Sequence, residues 1–245
     1  GTQLFVDPTF DTDLYGTFCG EIPRQEGPKT TGKEKCLAGM TKQGVLQGLA
    51  SEGSFGPHPQ LPFLNMNEEW LVYIDLERNI EIYGQSSSLD VCHEQIHYKD
   101  ADRLGQFLSQ IDFGRQGLLF KDANTNKIIE KGITVHSVLN NLLQRYPSWI
   151  LETDLRAHLN PKRQVQIIAA AQNLLARSKS LCPKCEAPDF WITDYLGKLP
   201  CCQCQQASNT YQSLKYSCVH CAFERIETRQ DLHCIDPEFC PFCNP

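Results

Sequence analysis

The sequence predicts an α/β domain, with a mixed sheet flanked by helices, followed by a small cysteine-rich module. Strand-like and helix-like segments alternate up to residue 179, which is the pattern of an α/β domain. Ten of the thirteen cysteines then fall between Cys182 and Cys243, where the helical pattern has ended. These two observations place the domains at residues 1–179 and 180–245.

The first half of the α/β domain contains four predicted strands and one helix. Residues 3–6 form a short strand, 28–43 a helix, and 45–50 a strand that runs into a glycine-rich loop at 51–59. The strands at 70–75 and 80–83 are separated by only four residues, so they are predicted to form a hairpin.

The second half continues the alternation. We predict a helix at 100–110, strands at 118–120 and 127–129, a helix after Thr134 and a strand at 148–152. Asn160 followed by Pro161 is a strong helix start, because the amide caps the first turn and proline fits the first helical position. The inward residues of that last helix are predicted to be Val165, Ile168, Ala169 and Leu175.

Composition limits the classes of function. The chain of 245 residues has a net charge of −6, and residues 181–245 hold five basic and eight acidic side chains. This balance makes nucleic acid an improbable partner, since such binders neutralise phosphates. No apolar run reaches the roughly 20 residues that span a bilayer, and no secretory signal is visible. We therefore expect a cytoplasmic protein without a membrane partner.

Eight cysteines form four Cys-x-x-Cys pairs. In a chain without an export signal, this spacing indicates metal binding rather than a disulfide scaffold. Zinc takes four thiolates in a tetrahedron, so four pairs fill two closed, structural sites in a zinc-ribbon-like module. The predicted ligands are Cys182, Cys185, Cys201, Cys204, Cys218, Cys221, Cys240 and Cys243.

The sequence leaves the grouping of these pairs open. The simplest arrangement is sequential, with the first two pairs on one zinc and the last two on the other. The alternative is crossed, with the first and third pairs together and the second and fourth together. Cys202 and Cys234 are left over beside the pairs, and no role is predicted for Cys19, Cys36 or Cys92.

Two polar segments early in the chain are candidates for ligand binding. Asp11, Asp13 and Glu21 can hold a hard divalent cation such as Mg²⁺ or Mn²⁺, or simply form a solvated acidic loop. In the glycine-rich loop, Ser51 and Ser54 are candidate anion-binding residues, because backbone N–H groups can approach an anion there. The candidate catalytic residues are Glu52 and His58, with an ordinary closed turn as the alternative.

A third polar segment precedes the last helix. Arg156, Asn160 and Arg163 lie near a helix N-terminus, which favours anions, and the two arginines can grip a phosphate. His158 is a candidate general acid or base. The alternative is an ion pair between Asp154 and Arg156 that only fastens the loop. All three polar segments would follow strands of one sheet and could meet at its edge.

The same segments carry a family resemblance. The runs FDTDLYGTFCGEIPR (10–24), ASEGSFGPHP (50–59) and ETDLRAHLNPKR (152–163), with the terminal Cys-x-x-Cys-Asn-Pro, resemble an uncharacterised bacterial family with a domain of unknown function. The resemblance implies a further N-terminal strand and helix, so the chain is expected to be truncated there. More distantly, the domain is similar at fold level to the house-cleaning nucleoside triphosphate pyrophosphatases, and function does not follow from fold.

Two functional hypotheses follow from the sequence. The first is a metal-assisted hydrolase or transferase acting on a phosphorylated or nucleotide-like ligand. The second is a binding module that docks a protein partner through its zinc tail. The enzyme hypothesis is slightly favoured, on the expectation that the polar loops converge.

Overall fold

The computed structural model describes residues 4–10, 13–16 and 26–245. The chain divides into two compact units, Gly1–Leu174 and Leu175–Pro245. The first unit contains strands β1 (Gln47–Pro57), β2 (Asn65–Asp75), β3 (Ile80–Ser88), β4 (Gln95–His97), β5 (Leu118–Asp122), β6 (Ile128–Ile133) and β7 (Trp149–Thr153). Its helices are α1 (Pro28–Gln43), α2 (Leu104–Gln110), α3 (His136–Arg145) and most of α4 (Pro161–Lys179).

The first sheet has the order β1-β2-β3 and is antiparallel throughout. Successive residues of a strand point to opposite faces, and both faces are covered. On one face, Cys36 and Met40 of α1 pack against Val72. On the other face, Leu71 packs with Leu174 of α4. The sheet is thus a layer between two helices.

Helix α4 approaches the sheet very closely at Gly84. A Cβ at this position would lie 2.2 Å from the carbonyl oxygen of Ala170 and 2.6 Å from Cβ of Leu174. Only a residue without a side chain fits against the helix backbone there. Gly84 therefore fixes the height of α4 above β3.

The second sheet has the order β4-β7-β5-β6 and is also antiparallel. Its buried face packs against Phe107 of α2 and Leu139 of α3. Leu118, Phe120 and Leu151 are fully or almost fully buried in this core. Loss of their apolar surface from water is the main stabilising contribution of this half of the unit.

Two expectations about this unit are wrong. The strands form separate antiparallel sheets rather than one mixed sheet. Residues 51–57 are not a loop, because every residue from Gln47 to Pro57 pairs with β2. The hairpin of β2 and β3 and the start of α4 at Pro161 are confirmed.

The predicted inward face of α4 is also wrong for three of its four residues. Val165, Ile168 and Leu175 are all more than half exposed. The buried positions are instead Arg163, Ala170 and Leu174. The buried stripe thus includes an arginine and lies on a different face of the helix from the predicted one.

The second unit is built on one small sheet. Its strands are β8 (Trp191–Leu196), β9 (Ser213–Ser217) and β10 (Glu224–Thr228), in the order β10-β9-β8. Both neighbouring pairs are antiparallel.

None of the helices in residues 4–10, 13–16 and 26–245 combines the length and apolar character that a bilayer crossing needs.

Candidate metal centres

The eight paired cysteines of the second unit gather into two tetrads. The four sulfur atoms of each tetrad lie within 4.8 Å of one another. The first tetrad is Cys182, Cys185, Cys218 and Cys221, and the second is Cys201, Cys204, Cys240 and Cys243. Each tetrad can hold a metal ion.

The spacing within each tetrad fits a tetrahedral zinc site. Four sulfurs at about 2.3 Å from a central zinc lie about 3.8 Å from one another. In the first tetrad, the sulfur of Cys182 lies 3.7 Å from that of Cys221. In the second, the sulfur of Cys201 lies 3.8 Å from that of Cys243. These separations are far from a covalent disulfide and match the edges of a metal tetrahedron.

All four Cys-x-x-Cys pairs fold into the same turn. In each, the N–H four residues after the first cysteine donates to the carbonyl of that cysteine: Glu186 to Cys182 at 2.9 Å, Gln205 to Cys201 at 3.1 Å, Ala222 to Cys218 at 3.0 Å and Asn244 to Cys240 at 2.9 Å. The N–H groups of Lys184 and Gln203 also approach sulfur, each at 3.4 Å. Donors aimed at sulfur stabilise a thiolate, so the turn prepares its ligands for a cation.

The tetrads are crossed, so the sequential grouping is wrong. Trp191 at the start of β8 and Glu224 at the start of β10 both pair with Ser217. The first pair precedes β8 and the third pair lies between β9 and β10, so the two pairs meet at this end of the sheet. Leu196 and Thr228 both pair with Ser213 at the other end. The second and fourth pairs follow those strand ends and meet there.

The first tetrad is electrostatically primed for a cation. Burial by itself raises the pKa of the Cys182 thiol, but hydrogen bonds led by the N–H of Lys184 outweigh it and lower the pKa to about 7. At Cys185 the N–H of Ala187 lowers the pKa, but neighbouring thiols led by Cys221 raise it to about 12. One thiolate of this tetrad, that of Cys182, thus forms readily, and ionisation of Cys185 is suppressed.

The second tetrad repeats this division. A hydrogen bond from the N–H of Cys204 leads the effects that lower the pKa of Cys201 to about 7. The hydrogen bond with the Cys204 thiol leads those that raise the pKa of Cys243 to about 12. Four thiolates this close can coexist only around a positive ion, so metal binding and loss of the thiol protons are coupled.

The two left-over cysteines, Cys202 and Cys234, form a disulfide with Cα atoms 5.1 Å apart. It lies beside a parallel bridge between Cys201 and Ile235. The sequence did not predict this bond. Because Cys202 is in this bond, it does not compete with the neighbouring Cys201 for the metal.

The second unit has a very small apolar core. Across residues 175–245, all of which are described, the buried hydrophobic residues other than cysteine are Phe190, Leu199 and Ile235. The other buried hydrophobic residues of this unit are cysteines of the two tetrads. A unit of this size with so little buried apolar surface needs a cross-link or a metal to fold.

In the first unit, the candidate catalytic residue Glu52 is buried and ion-paired. Its side chain is 3% exposed and forms a salt bridge with Lys35 of α1. Its other oxygen lies 3.3 Å from the N–H of Gly53. A buried carboxylate with a lysine partner is compensated within the chain.

The candidate anion-binding residue Arg163 is also buried, and it grips a carboxylate of the chain itself. Its Nε and Nη2 donate to Glu69 at 2.6 and 3.0 Å. Its Nη1 donates to the carbonyl of Leu155 at 2.6 Å. Asn160 caps α4 as predicted, since its Oδ1 accepts from the N–H of Arg163 at 3.1 Å, and its Nδ2 reaches the carbonyl of Cys92.

Glu52 and Arg163 face opposite sides of the first sheet. Glu52 pairs with Trp70 and Gly53 with Glu69, and facing residues share a side. Glu52 therefore points toward α1, and Glu69 points toward α4 and Arg163. The expected convergence of these two side chains at one sheet edge is not found.

Two of the remaining candidates, Arg156 and His58, hold turns of the chain itself. Arg156 forms a bidentate ion pair with the buried Asp154, with Nε to Oδ1 at 3.0 Å and Nη2 to Oδ2 at 2.6 Å, which is the loop-fastening alternative. His158 is exposed. His58 accepts from the N–H groups of Gln60 and Leu61 through Nδ1, so it closes a turn.

Five more candidates complete the set. Ser51 and Ser54 lie within β1 rather than in a loop. Asp11 and Glu21 lie outside the described residues. Of Asp13 only the backbone is described, in the 3₁₀ turn Asp13–Tyr15. The catalytic and ligand-binding roles of all these residues stay predictions.

Sequence reasoning did not find the partners of the buried charges. Glu69 lies within an alternating strand, and Lys35 lies in a helix with little amphipathic pattern. Glu69 is 94 positions from Arg163, so no local pattern connects them. A usable signal was present, because an acidic residue in the middle of a central strand needs a buried cation.

Comparison with known proteins adds a family. Residues 35–245, most of the chain, match the family model described as a domain of unknown function, DUF6671. No curated protein matches the chain. No solved structure matches it either, so the fold-level likeness to pyrophosphatases stays a prediction.

Proposed function

The chain belongs to the DUF6671 family, and we propose that its C-terminal unit is a double zinc ribbon that folds around two structural Zn²⁺ ions. The observation that carries the proposal is the pair of crossed tetrads, with all sulfurs of each within 4.8 Å. Zinc is the favoured ion because soft thiolates in a tetrahedron suit it, whereas Mg²⁺ and Mn²⁺ prefer oxygen.

The zinc ions have a structural role in this proposal. All four positions of each tetrahedron are filled by cysteine, so no position is left for the water that a catalytic zinc activates. The ions would supply folding free energy to a unit whose apolar core is very small. They would also hold the two ends of the β10-β9-β8 sheet.

Zinc content after dialysis against a moderate chelator tests the proposal. We expect two zinc ions per wild-type chain. Cys182→Ser with Cys218→Ser removes two ligands of one tetrad and should leave one ion. Cys182→Ser with Cys201→Ser takes one ligand from each tetrad and should leave none. Cys202→Ser is the control and should keep both ions.

Two outcomes would count against the proposal. A wild-type chain that retains no zinc would overturn it. If the Cys182/Cys201 variant keeps one ion while the Cys182/Cys218 variant loses both, the sites exist but the grouping is sequential. The matched number of lost cysteines makes these results directly comparable.

A second candidate function is docking of a protein partner on this unit. Val219, Phe239 and Phe242 are 72, 74 and 62% exposed, next to the third and fourth cysteine pairs. Exposed apolar side chains on a rigid turn are typical of contact residues. Fluorescence anisotropy with labelled duplex DNA and RNA should show no binding, and salt-dependent binding would redirect the proposal to nucleic acid.

The metal-assisted hydrolase or transferase has weaker support. Its candidate residues Glu52 and Arg163 face opposite sides of a sheet, and each is paired with an opposite charge. Incubating the zinc-loaded full chain with nucleoside triphosphates and Mg²⁺ or Mn²⁺ tests it. Turnover that Glu52→Gln abolishes, while Zn²⁺ content is unchanged, would revive this hypothesis.

A further inference from the structure

Strand β10 leaves one edge of the C-terminal sheet open. It is the outer member of the order β10-β9-β8, and no strand among the described residues pairs with its outer side. All five of its residues, Glu224–Thr228, are exposed. An open edge of this kind is a template for pairing with another strand.

The backbone groups at this edge can be assigned. The carbonyl of Phe223 accepts from the N–H of Cys218, and the N–H of Arg229 donates to the carbonyl of Gln212. These flanking groups therefore bond inward, toward β9 and its extension. In an antiparallel ladder, inward and outward residues alternate. The residues that present their N–H and C=O groups to the open side are therefore Glu224, Ile226 and Thr228.

We propose that this edge pairs antiparallel with the same edge of a second copy of the chain, centred on Ile226. The strand sequence Glu-Arg-Ile-Glu-Thr is self-complementary in that register. Arg225 then lies opposite Glu227 of the second copy, and Glu227 lies opposite its Arg225. The central Ile226 side chains meet, and Glu224 faces Thr228. The contact is twofold symmetric and closes on itself.

The chemistry of the two strand faces agrees with this register. Opposite charges directly across an antiparallel pair are stabilising, and like charges are destabilising. Within one copy, Arg225 and Glu227 already form a salt bridge of 2.8 Å, with both side chains about half exposed. Exchanging these two pairs, one in each copy, for two pairs between copies needs little desolvation. Ile226, which is 60% exposed, would gain a buried apolar contact.

Besides that salt bridge, a contact at the open edge must yield for the strands to pair. The Gln230 side chain donates to the carbonyl of Thr228 at 3.3 Å and so covers an outward acceptor. This is a flexible, exposed side chain. Because the paired strands are short, the contact belongs to the class of small, transient interfaces and should dissociate on dilution.

The inference rests on the proposed zinc sites, because the third cysteine pair forms the turn between β9 and β10. The experiment therefore measures zinc content and mass together, by metal analysis and sedimentation of the full chain. We expect the zinc-loaded wild type to dimerise with increasing concentration. Arg225→Glu and Glu227→Arg should each remain monomeric, because each places like charges opposite each other twice.

An equimolar mixture of the two variants gives the decisive result. In the mixed dimer, both pairs between positions 225 and 227 join a glutamate to an arginine, so dimers should return. Loss of the salt bridge within one copy cannot explain such a rescue. Lys198→Glu makes the same charge change outside the strand and should dimerise like wild type.

The outcomes separate the two proposals. A wild type that retains two zinc ions but stays monomeric overturns this inference and leaves the zinc sites intact. Dimers of both single variants, or a mixture that stays monomeric, also overturn it. A wild type without zinc overturns the proposed function instead. Pairing of β10 with a strand of a different protein would show as a monomer by itself.

Discussion

The two units compensate their buried polar groups in different ways. The first buries carboxylates beside cations of the same chain, as Glu69 and Arg163 show with side chains 1 and 4% exposed. The second concentrates thiols in two tetrads that become compatible with burial only around a metal ion. Ion pairs within the chain neutralise buried charges without any ligand. The thiol tetrads, in contrast, make folding depend on a bound metal ion.

The apolar cores of the two units also differ, in size and in how much they depend on cysteine. The second sheet of the first unit encloses a continuous cluster that includes Phe107, Leu118 and Leu139. The second unit has two small clusters, one around Phe190 and one around Leu199, and cysteines contribute to both. The metal sites thus have the stabilising role that large apolar side chains have in the first unit.

Metal removal should have the largest effect and should separate the units. Structural zinc sites in small domains bind with apparent free energies of about 10–16 kcal/mol, so a strong chelator should unfold residues 175–245. The first unit should stay folded. Limited proteolysis with mass spectrometry checks this, with cleavages expected only in the second unit.

The control for this experiment is restoration. Adding Zn²⁺ should restore protease resistance, and Mg²⁺ should not, because it prefers oxygen ligands. If the chelated chain resists proteolysis throughout, then the small core and the disulfide hold the second unit, and the contrast between the units is lost.

Breaking the buried ion pair should give the largest effect in the first unit. Arg163→Met leaves Glu69 buried without its partner, and such losses cost about 3–5 kcal/mol. Urea unfolding of the zinc-loaded chain measures the loss. Adding Glu69→Leu to the same chain should recover most of it, because an apolar pair of similar volume needs no compensation.

The matched control is an exposed pair. Arg115 and Asp112 are 76 and 65% exposed at 3.4 Å, so Arg115→Met should change stability by less than about 1 kcal/mol. Equal losses for Arg163→Met and Arg115→Met would mean that burial of the charge is not what matters.

Crowding around the same pair gives the next effect. A Cβ on Gly53 would lie 2.3 Å from Nη2 of Arg163 and 2.4 Å from Oε2 of Glu69. Gly53→Ala should therefore push the ion pair apart and cost about 1–3 kcal/mol. Gly56→Ala is the control on the same strand, since nothing lies within 4 Å of its Cβ position. Similar unfolding midpoints for the two variants would contradict this explanation.

Capping and turn signals in the sequence predict local structure correctly, whereas they do not predict the non-local pairings. The Asn160–Pro161 start of α4 and the four cysteine turns depend on residues within five positions, so their chemistry is legible in the chain. The crossing of the tetrads depends on which strand ends meet, and the sequential grouping was the simpler but wrong choice. Likewise, the glycine and serine residues at 51–57 were assigned to a loop, because pairing with β2 is a tertiary effect.

The candidate catalytic residues do not meet at one site, and the reason is again a non-local one. Residues such as Glu52 and Arg163 were grouped because each follows a predicted strand of one sheet. In the structure they lie on opposite faces of the sheet. Glu52 faces α1, whereas the next residue of β1, Gly53, lies on the face where Arg163 binds Glu69. Strand period, rather than sequence proximity, decides which polar side chains can meet.

The smallest effect should come from the half-exposed pair of Glu81 and Lys33, 2.7 Å apart, on the α1 face of the first sheet. Burial works to raise the pKa of Glu81, but hydrogen bonds led by Lys33 outweigh it and lower the pKa. A depressed carboxyl pKa stabilises the fold at pH values above the ordinary glutamate pKa of about 4.3, and this contribution is lost as the pH falls through the folded value. Because the pair is more than one third exposed, Glu81→Gln should cost only a few tenths of a kcal/mol at neutral pH.

Comparing wild type with Glu81→Gln in urea at pH 7 and at about pH 3 checks the sign. The difference in midpoint should be smaller in acid, because protonation of Glu81 removes the charge that distinguishes it from glutamine. Acid also releases metal from the thiol tetrads, but both proteins share that loss, so it cancels in the difference. A gap that persists unchanged at low pH would show that Glu81 acts through packing or its hydrogen bond with Tyr83 rather than through charge. The Glu81–Lys33 pair would then contribute to stability by a different mechanism from the buried Arg163–Glu69 pair, and not only by a smaller amount.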